Sequence, residues 1–324
     1  MDLRALGSTG LSVSPIGLGL AALGRPAYIT LGRDGDLGND RSVPAMERRC
    51  HEMLDAALAA GVRYVDTARS YGLAESFLGT WLDKRALPPG TMTIGSKWGY
   101  TYTGEWRLEA AVHEDKDLSI EALRRQLPES RTLLGRHLAL YQIHSATLES
   151  GVLDDRRVLG DLARLRAEGI AVGLTASGPR QGEVIRRALE TDVDGVNPFQ
   201  SVQATWNLLE TSAGPALAEA KAQGWGVIVK EGVANGRLTN QHAGEDLLPL
   251  SRRAAELGAT LDAFAMAAVL SQPWADVVLS GAVTHDQLRS HVSALAIHVD
   301  ARDWSRIAET PADYWKRRST LTWR

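Results

Sequence analysis

Eight short apolar runs alternate with helix-like stretches along almost the whole chain. The apolar runs cover 13–20, 63–68, 92–99, 138–145, 171–177, 195–202, 226–231 and 276–282. Helix-like stretches cover 45–60, 119–134, 154–168, 182–190, 214–223, 261–271 and 286–296, and another begins at Ala74. Strands that are apolar on both faces are typical of parallel sheets covered by helices. Eight repeats of a strand and a helix therefore predict an α/β fold, a closed (β/α)8 or TIM barrel.

The rival architecture is an open, doubly wound sheet that binds a dinucleotide. That fold places a G-x-G-x-x-G motif directly after its first strand, where the motif opens a helix. The corresponding run has Gly17, Gly19 and Gly24, so the third glycine is misplaced, and the next helix starts only at residue 45. The chain also lacks a P-loop and an H-E-x-x-H motif. The barrel is the favoured prediction.

Length, charge and cysteine content narrow the class of protein. No linker divides the 324 residues, so we expect one domain over 1–324. The 36 basic and 39 acidic side chains give a net charge of −3, which offers no basis for binding nucleic acid or an anionic membrane. No stretch reaches 18 apolar residues, and the first residues show no signal-peptide pattern. The single cysteine, Cys50, excludes an intrachain disulfide and fits the cytoplasmic location that we expect.

Two segments lie outside the repeating pattern. Residues 25–44 carry Gly, Pro and Asp, lack periodicity, and separate the first strand from its helix. This position is on the C-terminal face of a barrel, so the segment is either a pocket wall or a tolerated surface insertion. The tail from Asp300 is predicted to pack on the barrel, because flexible tails rarely carry so many large aromatic residues. Those residues are Trp304, Tyr314, Trp315 and Trp323.

Four polar residues, Asp66, Tyr71, Lys97 and His144, occur at or just after the predicted C-terminal ends of neighbouring strands. Barrel enzymes draw their catalytic groups from these positions. Taken singly, each residue also suits a helix cap, loop packing, a solvated lysine or a structural histidine. Taken together they form a chemical unit. An ammonium lowers the pKa of a nearby phenol from about 10, a carboxylate holds the ammonium, and a histidine hydrogen-bonds the oxygen being protonated.

The sequence around these residues resembles the aldo-keto reductase family. The similar runs are YVDTARSYG (64–72), IGSKWG (94–99), LALYQIHS (138–145), VQATWNLLE (202–210) and LSGAVTHDQLRSHV (279–292). The run RALGSTGLSVSPIGLG (4–19) looks like the family's N-terminal β-hairpin and first strand. The pattern is also similar to branches that act as aldose or pyranose dehydrogenases. The resemblance implies a barrel reductase that uses a nicotinamide cofactor and no metal.

The resemblance implies a role for each of the four polar residues. Tyr71 is the general acid that protonates the carbonyl oxygen during reduction, and the base in the reverse direction. Lys97 tunes Tyr71, Asp66 pairs with Lys97, and His144 orients the carbonyl. Hydride passes between nicotinamide C4 and the carbonyl carbon. The implied substrate is a small carbonyl compound or sugar, and we expect a monomer or weak homo-oligomer.

Further residues are expected to bind the cofactor. Lys230 and Glu231 stand where the family often has an aromatic residue under the nicotinamide, with Trp98 and Trp206 as other stacking candidates. Arg289 could meet a 2′-phosphate, because this chain lacks the family's usual cations nearby. NADP(H) is the expected cofactor, and NAD(H) is the alternative. The whole expected set is Gly19, Asp66, Thr175, Ser177, Gln203, Lys230, Ser280, Gly281, Ala282, Thr284, Gln287 and Arg289.

Aromatic loop residues are expected to line the substrate pocket, although loop packing explains them equally well. These residues are Tyr28, Trp98, Tyr100 and Trp106. Two other function classes are alternatives to a reductase. A redox-silent nucleotide-binding regulatory or interaction protein could share the fold, but the complete set of four polar residues argues against it. A metal-dependent hydrolase would need more ligands at strand ends than Asp66 and His144.

Overall fold

The chain folds into a closed barrel of eight parallel strands. The computed structural model describes residues 1–242, 244–300, 304 and 306–323. The strands are β1 (Arg4–Ala5), β2 (Ser12–Val13), β3 (Ile16–Gly19), β4 (Tyr64–Asp66), β5 (Thr93–Trp98), β6 (Tyr100–Tyr102), β7 (Glu114–Lys116), β8 (Leu138–Ala146), β9 (Ala171–Ala176), β10 (Ser201–Thr205), β11 (Gly226–Lys230) and β12 (Val277–Ser280). The barrel consists of β3, β4, β5, β8, β9, β10, β11 and β12, and β12 pairs with β3. The predicted (β/α)8 barrel is confirmed.

The described part of the chain contains eleven α-helices, most of which cover the outer face of the barrel. They are α1 (Arg33–Leu37), α2 (Val43–Ala59), α3 (Ala74–Arg85), α4 (Ile120–Leu134), α5 (Arg156–Ala167), α6 (Gln181–Leu189), α7 (Gly214–Ala222), α8 (Leu248–Glu256), α9 (Leu261–Leu270), α10 (His285–Ser293) and α11 (Pro311–Ser319). On α5 the buried residues Val158, Leu159, Leu162 and Leu165 recur at the helical spacing that forms one apolar stripe. No helix in the described part of the chain combines the length and apolar character required to span a membrane.

An N-terminal hairpin closes one end of the barrel. Its strands β1 and β2 pair antiparallel, as the sequence predicted. Leu6 and Val13 from this hairpin form a buried cluster with interior side chains of the strands, among them Tyr64, Leu140 and Ile228. The hairpin therefore fills the N-terminal end, and only the C-terminal end is left for a site.

Two strand boundaries differ from their predictions. The run 13–20 was expected to be one strand, but Val13 belongs to β2 and the barrel strand β3 begins at Ile16. The run 195–202 was expected to be the sixth barrel strand, but β10 begins at Ser201 and ends at Thr205. The Asn197 amide donates to the carbonyl of Ala188 at 2.8 Å and accepts from the backbone N–H of Phe199 at 2.9 Å. These bonds hold residues 197–199 in a turn, and Pro198 has no N–H to donate to a neighbouring strand. The barrel strand therefore begins only at Ser201.

The C-terminal tail packs on the open end of the barrel, as predicted. Tyr314, on α11, is buried, and its hydroxyl accepts a hydrogen bond from Asn207 Nδ2 at 3.0 Å. The Trp304 ring lies 5.8 Å from that of Phe264 on α9. Residues 301–303 and 305 of the predicted tail lie outside the described residues. The tail therefore joins the βα loops in forming the walls of the open end.

Candidate active site

Neighbouring barrel strands bring three of the predicted catalytic side chains into one network. Lys97 is fully buried at the end of β5. Its Nζ donates to Asp66 Oδ1, to the carbonyl of Thr67 at 2.9 Å and to the hydroxyl of Tyr71 at 3.3 Å. The ammonium is thus fixed between a carboxylate and a phenol, which is the arrangement expected of a tuned proton donor.

Asp66 is held from two further directions. Gln203 Nε2 on β10 donates to Asp66 Oδ2 at 2.8 Å, and the Tyr64 hydroxyl donates to the same oxygen at 3.3 Å. The sequence predicted Gln203 as a cofactor-binding residue, but it gave no sign of this bond across the barrel. Because three donors hold it, the Asp66 carboxylate keeps one position and fixes the direction of the Lys97 ammonium.

The loop that carries Tyr71 is locked against the loop after β3. A Cβ at Gly24 would lie 2.2 Å from the carbonyl oxygen of Tyr71, so only glycine permits the observed approach. The next residue, Arg25, is buried, and its guanidinium lies 5.1 Å from the centre of the Tyr71 ring. Arg25 Nη1 also donates to the carbonyl of Ser70 at 3.1 Å. This packing holds the phenol in place above Lys97.

The pKa of Tyr71 moves in the opposite direction from that expected. Burial and then the Asp66 carboxylate raise the pKa of Tyr71 well above 10, and they outweigh the lowering effect of Arg25. The expectation that Lys97 lowers this pKa overlooked burial, which disfavours a phenolate more than one neighbouring cation favours it. Tyr71 is therefore a protonated hydrogen-bond donor over the whole neutral range. Lys97 is placed to stabilise the phenolate if the proton leaves.

His144 faces Tyr71 from the end of β8. The two ring centres are 5.5 Å apart and the rings are nearly perpendicular. Burial and then Lys97 and Arg25 lower the pKa of His144 well below 6.5, so the imidazole is neutral. Its Nδ1 lies 3.4 Å from the Ser70 hydroxyl. If Ser70 donates this bond, the proton is on Nε2, which makes His144 a neutral donor for an oxygen beside Tyr71.

Two cavities meet at Tyr71. The first cavity has a volume of about 150 Å³ and extends from Asp66 and Tyr71 to Gln287 and His291 on α10. Of the residues predicted to bind a cofactor, those that line it are Gly19, Asp66, Gln203, Lys230, Ser280, Gly281 and Gln287. The residues that the two cavities share are Tyr28, Tyr71, Gln203, Lys230 and Glu231. A molecule in either cavity would therefore reach the Tyr71 network.

The second cavity, of about 410 Å³, lies on the His144 side. It holds the predicted substrate residues Tyr28 and Tyr100, together with Thr175 and Ser177 from the end of β9. The backbone N–H of Ser145 donates to Thr175 Oγ1 at 2.6 Å, which ties this strand end to β8. The C-terminal tail supplies the remaining wall through Trp315, Arg318, Ser319, Leu321 and Trp323.

Comparisons with known proteins identify the family of the chain. The model of the aldo/keto reductase family matches residues 15–311. The chain belongs to the aldo-keto reductase family. It is 24% identical to an NADH-specific methylglyoxal reductase of Escherichia coli strain K12, covering 94% of this chain and 96% of the relative. It is 26% identical to an L-galactose dehydrogenase of Arabidopsis thaliana, covering 74% and 68%. The fold matches the holo form of an aldo-keto reductase from Bacillus halodurans at a TM-score of 0.72 and 22% identity, covering 96% and 97%.

Aldo-keto reductases use nicotinamide cofactors, and the first cavity has the polar groups to hold one. Asn235 is a lining residue of this cavity, and its buried Oδ1 has no hydrogen-bond partner among the described residues. A buried amide oxygen of this kind is costly unless a ligand supplies a donor. At the far end, Val283 N–H donates to Gln287 Oε1 at 2.9 Å and Thr284 caps α10. Gln203, Asn235, Ser280 and Gln287 are the residues that would hold the cofactor.

The segment 25–44 of this aldo-keto reductase forms a wall of the first cavity. The backbone N–H of Leu31 donates to the carbonyl of Asn235 at 3.0 Å, which joins the segment to the loop after β11. Gln287 Nε2 donates to Asp36 Oδ2 at 2.6 Å, which joins it to α10. Of the two interpretations of this segment, the structure supports the pocket wall. Its lining residues are Tyr28, Thr30, Leu31, Arg33 and Asp36.

Several predicted site residues lie outside both cavities. Trp98 follows the inward-facing Lys97 on β5 and therefore points outward, where it is fully buried in the core. Trp106 packs against Phe77, with the two ring centres 6.1 Å apart. Arg289 is exposed and pairs with Asp286. Three other residues also line neither cavity: Trp206 and Ala282, which are buried, and Thr284, which caps α10.

Lys230 and Glu231 form a charged junction between the cavities. Lys230 Nζ donates to Ser177 Oγ at 2.9 Å and to Thr205 Oγ1 at 2.8 Å. Burial, opposed by Glu231 and reinforced by Arg318, lowers the pKa of Lys230 to about 8. Arg318 Nη2 donates to Glu231 Oε1 at 2.6 Å. Lys230 therefore presents a partly dehydrated ammonium where an aromatic residue was expected from the resemblance.

Four charged residues and two tryptophans of the second cavity were not predicted as site residues. Arg25, in the loop after β3, pairs at 2.5 Å with Glu114 on β7, and no local spacing in the sequence links the two. Only the aromatic and basic composition of the tail indicated that this segment could reach the site. The residues not predicted are Arg25, Glu114, Lys116, Arg318, Trp315 and Trp323.

Proposed function

We propose that the protein is an NAD(P)H-dependent oxidoreductase of small carbonyl compounds or sugars, with Tyr71 as its general acid and base. The observation that carries this proposal is the hydrogen-bonded series Asp66, Lys97 and Tyr71 at the junction of two cavities. One cavity suits a cofactor, and the other is open to a second small molecule. A proton donor between them can serve a reaction in which hydride and proton add to the same carbonyl.

The protein's own residues would handle the proton and the oxygen. A bound nicotinamide supplies or accepts hydride. During reduction the Tyr71 hydroxyl donates its proton to the carbonyl oxygen, and the high pKa of Tyr71 keeps that proton available at neutral pH. The resulting phenolate lies beside the Lys97 ammonium, which is 3.3 Å away. Neutral His144 donates to the same carbonyl oxygen and sets its orientation.

Replacing Tyr71 with phenylalanine tests this role. The variant should lose about 10²- to 10⁴-fold in kcat, the range that a general acid contributes, and still bind the reduced cofactor. Tyr102→Phe is the matched control, because Tyr102 lines neither cavity and its hydroxyl accepts a bond from Trp106 N–H. Unchanged turnover in Tyr71→Phe would refute the mechanism. Cofactor binding by the wild type with no turnover of any carbonyl compound would favour the redox-silent alternative.

The electrostatics of the first cavity favour NADH over the NADPH expected from the sequence. Arg289, the cation expected to meet the 2′-phosphate, pairs with Asp286 on the surface. Asp36 and Asp262 line the cavity at the end where Ser280 and Gln287 lie. Carboxylates accept hydrogen bonds from ribose hydroxyls and repel a phosphate. The NADH-specific relative in Escherichia coli is consistent with this preference.

Equilibrium binding tests the cofactor preference without a substrate. Quenching of tryptophan fluorescence should give a lower Kd for NADH than for NADPH. Asp36→Asn should tighten NADPH binding by about tenfold, corresponding to the loss of roughly 1.4 kcal/mol of charge repulsion, and should change the Kd for NADH much less. Asp34→Asn is the control, because Asp34 lies on the same helix, pairs with Arg41 and does not line the cavity. Tighter binding of NADPH by the wild type would contradict the preference.

A further inference from the structure

The second cavity carries an excess of positive charge. Four cations and two carboxylates line it. Two of the cations are neutralised, because Arg25 pairs with Glu114 at 2.5 Å and Arg318 pairs with Glu231 at 2.6 Å. Two lysine ammonium groups remain on the wall, Lys116 on β7 and Lys230 at the end of β11. The charge is thus concentrated in two groups that face a space open to a ligand.

Neither lysine is hydrogen-bonded to a carboxylate. Lys230 Nζ donates to two hydroxyl groups, and Glu231 Oε1 is 4.0 Å away, beyond hydrogen-bond distance. An ammonium has three N–H donors, so one is left over. Lys116 Nζ donates to the carbonyl of Ser145 at 2.8 Å, and no carboxylate of the described residues lies within ion-pair distance. Both groups can therefore accept an anionic partner without breaking a hydrogen bond to a carboxylate.

We propose that the substrate bears a carboxylate in addition to its carbonyl group, and that Lys116 and Lys230 bind this carboxylate while the carbonyl oxygen meets Tyr71 and His144. The inference rests on the proposed carbonyl oxidoreductase and names the class of its substrate. Lys116 and Lys230 are the specificity-determining residues. Both line the cavity that also contains Tyr71 and His144, so one small molecule can contact the lysines and the proton donor together.

The surroundings of His144 support an anionic substrate. After burial, the groups that lower the pKa of His144 are all cations, namely Lys97, Arg25, Lys230 and Lys116. These four cations lie close enough to act on His144, and cations near this part of the cavity attract a carboxylate. Burial also lowers the pKa of Lys230 to about 8, because it disfavours the charged ammonium. An anion that pairs with this ammonium would offset that unfavourable free energy of burial. A neutral sugar obtains neither benefit.

A pair of aldehydes that differ only in charge tests the proposal. 4-Carboxybenzaldehyde carries the carboxylate, and methyl 4-formylbenzoate is its neutral ester with the same reacting group. Wild-type kcat/KM should favour the acid by about tenfold or more, the ratio that corresponds to roughly 1.4 kcal/mol. Lys116→Met and Lys230→Met should each remove most of that preference. Lys84→Met is the control, because Lys84 is exposed on α3 and lines neither cavity. Equal rates with both aldehydes in the wild type would overturn the proposal.

A binding experiment separates failure of this inference from failure of the proposed activity. 4-Methylbenzoate and 4-methylbenzamide have no aldehyde, and their binding can be followed by the fluorescence of Trp315 and Trp323, which line the same cavity. The benzoate should bind at least about tenfold more tightly, and Lys116→Met should abolish the difference. If neither aldehyde is reduced but the benzoate is selected, the anion site stands and the activity fails. If aldehydes are reduced but the benzoate is not selected, the activity stands and the anion site is refuted.

Discussion

Replacing Arg318 with methionine tests how far the C-terminal tail stabilises the barrel. Arg318 Nε lies 2.9 Å and 3.0 Å from the two carboxylate oxygens of Glu231, and Nη2 donates to Oε1 at 2.6 Å. Methionine keeps much of the aliphatic stem and removes the charge. The Glu231 side chain is only 7% exposed, so the loss of Arg318 leaves a largely dehydrated carboxylate without its main ion-pair partner. Removing one partner of a buried ion pair is destabilising, and the variant should unfold more easily.

The size of the effect follows from the pKa of Glu231. Burial raises this pKa, but Arg318 and Lys230 outweigh burial and lower it from 4.5 to about 2. At about 1.4 kcal/mol per pKa unit, that difference between folded and unfolded states corresponds to roughly 3 kcal/mol at neutral pH. This net value already includes the opposing effect of burial, which remains when Arg318 is removed, so Arg318→Met should lower the free energy of unfolding by about 3 kcal/mol or more. A depressed folded-state pKa stabilises above pH 4.5, and this stabilisation is lost as the pH falls towards 2.

Urea denaturation followed by tryptophan fluorescence measures this difference at about pH 7 and at about pH 3.5. The difference in free energy of unfolding between wild type and Arg318→Met should be smaller at the lower pH. Arg317→Met is the matched control, because the Arg317 side chain is 57% exposed and lies 3.8 Å from Glu309. It should change the free energy of unfolding by less than about 0.5 kcal/mol. Equal effects of the two substitutions, or a difference in free energy of unfolding that does not depend on pH, would contradict the stabilising role of the Arg318–Glu231 ion pair.

Three further predictions concern the Tyr71 loop, the cysteine and metal dependence. Gly24→Ala should lower the free energy of unfolding by about 1 to 3 kcal/mol and reduce turnover, because the added Cβ would collide with the Tyr71 carbonyl. Gly35→Ala is the control, because a Cβ at Gly35 meets open space, and it should have neither effect. Urea denaturation and initial rates compare the two variants. Burial raises the pKa of Cys50, so its thiol should react with a disulfide reagent only after unfolding, and reaction of the native protein would contradict this. The proposed proton transfer uses Tyr71, Lys97 and His144 and requires no metal ion, so a chelator should leave initial rates unchanged, and loss of activity would contradict the mechanism.

Much of the fold could be predicted from local patterns. Apolar strands that alternate with amphipathic helices indicate a sheet that is buried on both faces. Eight such repeats favour closure of the sheet into a barrel. The error at 195–202 arose because the prediction followed the apolar residues of this run and not the Asn197-Pro198 pair, a combination that favours a turn. Single-domain organisation over 1–324, the cytoplasmic location and the oligomeric state stay predictions.

The sequence by itself determined the barrel and brought Asp66, Lys97 and His144 to one end of it, because parallel strands place their C-terminal ends side by side. Only the tertiary structure decided which groups surround them. Trp98 packs in the core outside the barrel, on the opposite side of the strand from Lys97, because successive residues of a strand face opposite sides. The bond from Gln203 to Asp66 and the pairing of Arg318 with Glu231 join residues far apart in the chain. Burial, which raises the pKa of Tyr71 and lowers that of Lys230, is a property of the assembled protein and has no counterpart in local sequence.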